Sequence, residues 1–167
     1  MQRLIRSTCA IAAEEIGKER ARHAAEKAQK RYEALCLENA SDSKALRAHT
    51  YKRIYPSIAV YEALKEEGVD QEKAVWYVRE YFQRAAAVYA PYLQRVIRVF
   101  GLAKKIPGIF MKVALKSFGP DAGFLYEFPE SSENEARANV VRCPYFETCR
   151  RYGCPEITRA FCDGDDA

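Results

Sequence analysis

The chain has 167 residues, enough for one domain with a sizeable core but hardly for two. Hydrophobic residues make up 49% and charged residues 30% of the sequence, a globular balance that argues against wholesale disorder. Apolar runs stay well short of the roughly 18 residues that a membrane-spanning helix needs. The net charge of +4 is spread over interleaved Lys, Arg and Glu instead of one basic stripe. We therefore expect a single domain over residues 1–167 that binds neither a membrane nor a nucleic acid.

The first residues lack the apolar core of a signal peptide. The short apolar patch from Cys9 to Ala13 runs directly into Glu14 and Glu15. We therefore expect a cytoplasmic protein. Because the cytoplasm is reducing, we expect the six cysteines to be free thiols, metal ligands or a reactive thiol and not disulfides.

The first two-thirds of the chain predicts helix. Residues 2–38 are rich in Ala, Glu, Lys and Arg, with no Pro and a single Gly. This composition favours one long helix, whose almost wholly polar middle is exposed or only lightly packed. The run Ser41-Asp42-Ser43 offers an N-cap for a second helix. Pro56 either kinks that helix or starts a new one.

Three more helices are predicted before residue 119. Residues 56–68 form a strongly amphipathic helix that ends at its terminal glycine. Asp70 caps the next helix, which has a broad apolar face, and Pro91 marks another helix start. Residues 110–118 form a short helix that is stopped by the Gly-Pro pair after it.

The hydrophobic period changes at Gly123. Residues 123–128 and 138–142 are short β-branched or aromatic runs separated by an acidic turn, which is typical of two antiparallel strands. Such a sheet is marginal alone and needs a cover of helices or a further strand. Residues 145–153 and 155–162 return to helix.

The predicted fold class is therefore α+β and mainly α. We expect a helical bundle with a small antiparallel sheet near the C-terminus. The bundle occupies residues 1–119, and the sheet with its cysteine-rich helices occupies residues 120–167.

Four of the cysteines lie from residue 143 onward. Only the spacing Cys149-x4-Cys154 suits a structural zinc site, and both histidines are far upstream, so we expect no metal. Cys149 and Cys36 are interpreted as small apolar fillers of the core. Cys162 differs because acidic residues follow it. Those acids disfavour its thiolate, although a carboxylate there would suit general-base chemistry, and a buried structural thiol is the alternative.

Histidine and tyrosine supply few further catalytic candidates. His49 is predicted to be a surface or capping residue, and His23 to lie on the exposed part of the first helix. The 11 tyrosines cluster on adjoining predicted helices. Buried tyrosines usually donate to backbone carbonyls, and a minority line polar pockets. The sequence contains no Gly-rich phosphate loop, serine nucleophile elbow or HExxH motif.

Motifs in a fixed order support a family resemblance. They are Tyr-Pro-x-x-Ala-x-Tyr-x-x-Leu from Tyr55, Arg-Cys-Pro-Tyr from Arg142, Gly-x-Pro-Glu from Gly153, and the pair Cys162 and Asp165. In this order they resemble the L-2-amino-thiazoline-4-carboxylic acid hydrolase-like family, from about residue 50 to the end. Members of that family typically continue past the Cys-x-x-Asp pair through a glycine-containing strand. We therefore expect a further C-terminal segment to be missing from this chain.

The resemblance implies a hydrolase that opens a small cyclic isothiourea or amidine, such as 2-aminothiazoline-4-carboxylate, to an N-carbamoyl amino acid. It implies no cofactor. Cys162 would attack as a nucleophile, or Asp165 would activate water. The implied substrate-binding residues are Arg142, which would pair with a substrate carboxylate, and Cys143, Tyr55 and Tyr61. The alternative is a non-catalytic helical module that binds a small molecule or a partner. The long first helix is also compatible with a homo-oligomer.

Overall fold

The structure, a computed structural model, describes residues 1–99, 116–127, 137 and 139–162. Within these ranges the predicted fold class is confirmed. Helices pack into a bundle, and a two-stranded antiparallel sheet lies near the C-terminus. Among the helices of these ranges, none has an apolar stretch long enough to cross a membrane.

The prediction of one helix over residues 2–38 is wrong at Gly17. This glycine separates α1 (Arg3–Ile16) from α2 (Lys18–Glu38). Its φ of 86° and ψ of 151° belong to a backbone region that side chains make unfavourable. The two helices fold back on each other, and the N–H of Gln2 donates to Oε1 of Gln29 at 2.8 Å.

The middle of α2 is lightly packed, which is one of its two predicted environments: most of its side chains are exposed, and only small ones are buried. One side of it carries small side chains that are buried in the core, namely Ala21, Ala24, Ala25 and Ala28. Small side chains allow a close approach between helices, and α2 packs chiefly against α4 (Tyr55–Glu66). The polar residues of α2 remain on the outer side, where Arg22 and Glu26 form an ion pair at 2.7 Å.

The predicted start of the second helix is confirmed. Ser43 caps α3 (Lys44–His49), and its hydroxyl accepts from the N–H of Leu46 at 3.1 Å. A π-helical segment, Thr50–Ile54, connects α3 to α4. Pro56 lies in the first turn of α4. This position agrees with the prediction that Pro56 starts a helix and not with the alternative of a kink. Nearly all of α4 is buried, so it is the central helix of the bundle.

The next helix, α5 (Gln71–Val99), is longer than predicted. Asp70 caps it, because its Oδ1 accepts from the N–H of Lys73 at 2.9 Å. Pro91 was expected to start a new helix but lies inside α5, which continues past the missing N–H. The buried face runs to about Phe82, and the described side chains beyond it are exposed or half-buried. The helix predicted over residues 110–118 falls mostly outside the described residues.

The C-terminal elements follow the predicted order. Strands β1 (Leu125–Glu127) and β2 (Asn139–Arg142) pair antiparallel, with a bulge that sets Arg142 opposite Leu125. After the sheet come α6 (Pro144–Arg151), a 3-10 turn (Pro155–Ile157) and α7 (Thr158–Cys162). The ring of Phe161 in α7 lies 5.3 Å from Phe82 and 4.8 Å from Tyr145, which joins these elements to the bundle.

Candidate functional site

A cleft of about 360 Å³ lies where α6 and the end of β2 meet the start of α3 and α4. Its size suits a small ligand. Its lining combines two acids, three arginines and several uncharged residues: Asp42 and Glu147; Arg142, Arg150 and Arg151; Leu46, Thr50, Tyr55, Gly123, Pro144 and Thr148. Both signs of charge therefore face one small volume.

The carboxylate of Asp42 is oriented by two hydroxyl donors. Its Oδ2 accepts from the hydroxyl of Tyr55 at 2.9 Å. The hydroxyl of Thr50 lies 3.2 Å from the same Oδ2 and 3.2 Å from the carbonyl oxygen of Leu46, so its one proton serves two acceptors. Both donor residues are buried. Burial, and after it the hydrogen bond to Asp42, raises the pKa of Tyr55 well above its ordinary value, so this hydroxyl keeps its proton and donates.

The π-helical segment explains why these two hydroxyls converge. Thr50 and Tyr55 are five residues apart, which places them on different faces of an α-helix. In a π-helical turn the bond runs from residue i+5 to residue i, and here the N–H of Tyr55 donates to the carbonyl of Thr50. Residues joined in this way lie one above the other, and both reach the same carboxylate oxygen.

The arginines form the positive side of the cleft. Nε of Arg142 lies 2.9 Å from Oε2 of Glu147, and Nη2 of Arg151 donates to Oδ1 of Asn39 at 3.1 Å. Arg150 lies over the ring of Phe146 at 5.8 Å and forms no ion pair with a carboxylate of the described residues. Guanidinium groups in this position suit a carboxylate ligand.

Two of the residues expected to bind substrate meet in this cleft. Tyr55 and Arg142 are distant in the chain, yet both line it. Cys143 lies between two lining residues, is half-buried and is not itself part of the lining. The prediction for these residues concerns ligand binding and stays a prediction.

Tyr61 lies elsewhere. Its hydroxyl donates to Oε1 of Glu156, and Nζ of Lys65 donates to the hydroxyl of Tyr61 at 3.3 Å. Burial and the bond to Glu156 raise its pKa. These contacts tie α4 to the 3-10 turn, and Tyr61 is not part of the cleft lining.

Of the predicted catalytic pair, only Cys162 lies within the described residues. Cys162 ends α7 with an exposed side chain and does not line the cleft. Asp165 lies outside the described residues, so the pair stays a prediction.

The other cysteines behave as packing residues. Cys149 is fully buried, as expected of a core filler, and Cys36 is half-buried. A hydrogen bond with Cys149, together with burial, raises the pKa of Cys154 far above its ordinary value, so its thiol stays protonated. Within the described ranges, no three His, Cys, Asp or Glu side chains group closely enough to hold a metal ion.

The prediction that His49 is a surface or capping residue is wrong. It is buried between the rings of Phe118, Phe124 and Tyr145. Its Nε2 lies 2.8 Å from the carbonyl oxygen of Ser117 and must therefore carry the proton, while Nδ1 accepts from the hydroxyl of Tyr145 at 3.0 Å. Burial is the main cause that lowers its pKa.

The sequence patterns do not mark Asp42, Thr50, Arg150 or Arg151 as site residues. The run around Asp42 predicts only a helix cap, because Asp and Ser are both common capping residues. The one available signal was indirect: a buried tyrosine hydroxyl needs an acceptor, and a carboxylate can be that acceptor. Which carboxylate serves Tyr55 depends on packing between distant segments.

Comparison with known proteins gives one finding. A family model described as L-2-amino-thiazoline-4-carboxylic acid hydrolase matches residues 47–167. The matched region includes Tyr55 and Arg142 and begins after Asp42. Among curated proteins and among solved structures, none matches the chain significantly.

Proposed function

Because the chain belongs to the L-2-amino-thiazoline-4-carboxylic acid hydrolase family, we propose that it opens a small cyclic isothiourea or amidine such as 2-aminothiazoline-4-carboxylate. The observation that carries this proposal is the cleft in which Tyr55 and Arg142, from two separate motifs of the matched region, meet. A cleft of this size with charged walls suits a compact, charged ring.

The proposed reaction is a hydrolysis with a sulfur leaving group. Water adds its oxygen to the ring carbon between nitrogen and sulfur, and the bond from that carbon to sulfur breaks. The sulfur leaves as a thiolate and takes up a proton, and the carbon becomes the carbonyl of an N-carbamoyl amino acid. The protein has to position the ring and assist removal of a proton from water.

Arg142 is the proposed partner of the substrate carboxylate. Its present partner, Glu147, is partly exposed, and the side chain of Arg142 is itself 53% exposed. An exposed ion pair of this kind contributes little to stability, so a ligand carboxylate competes for the guanidinium at low cost. Arg150, which lines the same cleft, adds positive charge on that side.

Cys162 and Asp165 are the proposed catalytic residues. Either the thiolate of Cys162 attacks the ring carbon and the covalent intermediate is then hydrolysed, or Asp165 accepts a proton from the attacking water. This assignment rests on the motif of the family resemblance: Cys162 is exposed but does not line the cleft, and Asp165 lies outside the described residues.

The proposal is tested by incubating the protein with 2-aminothiazoline-4-carboxylate and measuring the N-carbamoyl product by chromatography. We expect turnover by the wild type and none by Cys162→Ala or Asp165→Asn, with melting temperatures within a few degrees of wild type. Arg142→Ala should raise KM more than it lowers kcat, because it removes a binding contact. Arg84→Ala is the matched control: Arg84 pairs with Glu80 at 2.8 Å, outside the cleft, and its loss should change neither constant.

Two outcomes would count against the proposed reaction. A wild-type protein that is folded by circular dichroism but forms no product would reject the hydrolase proposal for this substrate. Binding of the same compound without turnover would instead support the non-catalytic module.

A further inference from the structure

The carboxylate of Asp42 makes no direct contact with a cationic side chain of the described residues, although three arginines line the same cleft. Its two hydrogen bonds come from neutral hydroxyls, and both go to Oδ2. Within the described ranges no Lys, Arg or His forms an ion pair with it, and no group donates to Oδ1. A cationic N–H of a ligand that donates to Oδ1 would therefore form a charge-assisted hydrogen bond that no described side chain supplies.

The surroundings of Asp42 fix its direction. The guanidinium of Arg47 donates to the backbone carbonyl of Asp42 at 2.8 Å, and the backbone N–H of Asp42 donates to the carbonyl of Asn39 at 3.1 Å. With the backbone held and Oδ2 engaged, Oδ1 is the acceptor that remains for a ligand in the cleft. The carboxylate is thus positioned before a ligand arrives.

The opposite charges of the cleft lie on different elements. Asp42 precedes α3, whereas Arg142 ends β2 and Arg150 and Arg151 lie in α6. A ligand that satisfies both sides carries a cation and an anion and fits a cleft of about 360 Å³. A protonated cyclic amidine with a ring carboxylate carries both charges, and one N–H of its amidinium can form a charge-assisted hydrogen bond to a single carboxylate oxygen.

We infer that Asp42 binds the cationic amidine edge of the ligand through Oδ1, so that the cleft selects small zwitterionic cyclic amidines over rings that carry only one charge. This inference deepens the proposed function and rests on it for the identity of the ring. It makes Asp42 a specificity-determining residue that holds the substrate, while proton transfer and bond cleavage belong to other groups.

The test uses ligands that separate the two charges. The zwitterionic probe is 2-iminoimidazolidine-4-carboxylate, a cyclic guanidine without a sulfur leaving group. The cationic probe is 2-aminothiazoline and the anionic probe is thiazole-4-carboxylate. Titration calorimetry on the full chain should show the zwitterion binding at least about tenfold more tightly than either single-charge probe, since each charge-assisted contact adds affinity.

Asp42→Asn removes the charge and keeps an oxygen that accepts from Tyr55 and Thr50. We expect it to weaken the zwitterionic and cationic probes at least about tenfold and to leave the anionic probe within about twofold. Asp121→Asn is the matched control, because Asp121 is exposed and lies outside the cleft lining. It should bind all three probes as the wild type does.

The outcomes separate this inference from the proposed function. If turnover is absent but binding depends on the charge of residue 42, the reaction is wrong and the inference about the cleft stands. If turnover occurs and Asp42→Asn leaves KM unchanged, the inference is overturned and the reaction stands. If Asp42→Asn does not fold, the wild-type comparison decides: equal affinity for thiazole-4-carboxylate and the zwitterion overturns it.

Discussion

His49 connects two parts of the chain through both of its ring nitrogens. Nε2 donates to the backbone of Ser117, and Nδ1 accepts from Tyr145 in α6. A neutral ring satisfies both contacts, whereas a protonated ring turns Nδ1 into a donor. The nearby residues Thr50 and Pro144 line the cleft, so the neutral form of His49 supports the wall of the site.

The burial of His49 predicts a pH-dependent stability. Because burial lowers its pKa below the ordinary value of 6.5, the unfolded chain binds the proton more readily. The contribution of neutral His49 to the free energy of unfolding is complete above about pH 6.5 and is lost as the pH falls towards the lowered pKa. Urea unfolding between about pH 5 and 8 should therefore show a steeper loss of stability towards acid in the wild type than in His49→Gln.

His23→Gln is the control for this measurement. The side chain of His23 is exposed, so its replacement should leave the pH profile unchanged. Parallel profiles for the wild type and His49→Gln would show that His49 does not contribute to the acid sensitivity.

At the scale of elements, the break at Gly17 and the π-helical segment decide the shape of the bundle. Gly17 lets α1 fold back onto α2, and Thr50–Ile54 aligns two hydroxyls on Asp42. Both are local departures from α-helix that join helices on either side. Tertiary packing stabilises the break at Gly17, because folding back buries α1 against α2 and α5.

Gly17→Ala isolates the cost of the break. A Cβ at this position meets nothing within 4 Å, so the penalty comes from the backbone conformation alone. We expect the free energy of unfolding to fall by about 1–3 kcal/mol, measured by urea denaturation. Lys18→Ala, at the exposed start of α2, should change it by less than about 0.5 kcal/mol. A Gly17→Ala variant as stable as wild type would mean that the break carries no strain.

At the scale of the molecule, one core extends from the N-terminal helices to α7. Buried residues from Leu4 to Ala160 belong to a single cluster, and Phe82 of α5 contacts Phe161 of α7. A shared core favours cooperative unfolding of the whole chain, as the prediction of a single domain requires.

Coincident unfolding transitions test this prediction. Trp76, the only tryptophan, lies on α5 and reports packing there, while far-ultraviolet circular dichroism reports all helices. Urea curves from the two signals should share one midpoint. A fluorescence transition separated from the dichroism transition would indicate two independently unfolding parts.

Much of the fold was predictable because its signals are local. The caps predicted in the run 41–43 and at Asp70 are confirmed, at Ser43 and Asp70, since a cap bonds to backbone a few residues away. The errors have physical causes as well. A single glycine is tolerated inside a helix, so the sequence predicted one continuous helix and no break at Gly17. Pro91 resembled a start, yet α5 continues past it.

The candidate site was only partly predictable. Tyr55 and Arg142 were identified through the motifs of the family resemblance, and nothing in either segment shows that they line one cleft. His49 was misassigned because its burial depends on aromatic rings far away in the chain. Burial and proximity are properties of the packed molecule, and a single residue type does not encode them.

The sequence by itself determined the helical composition, the caps, the small sheet and the family, since these depend on neighbouring residues and on motif order. Only the tertiary structure decided that Asp42 faces the arginines of β2 and α6, and that Thr50 and Tyr55 share its Oδ2. The physical reason is that a charged cleft forms from side chains of distant segments. Their meeting follows from burial of the common core, which no local pattern records.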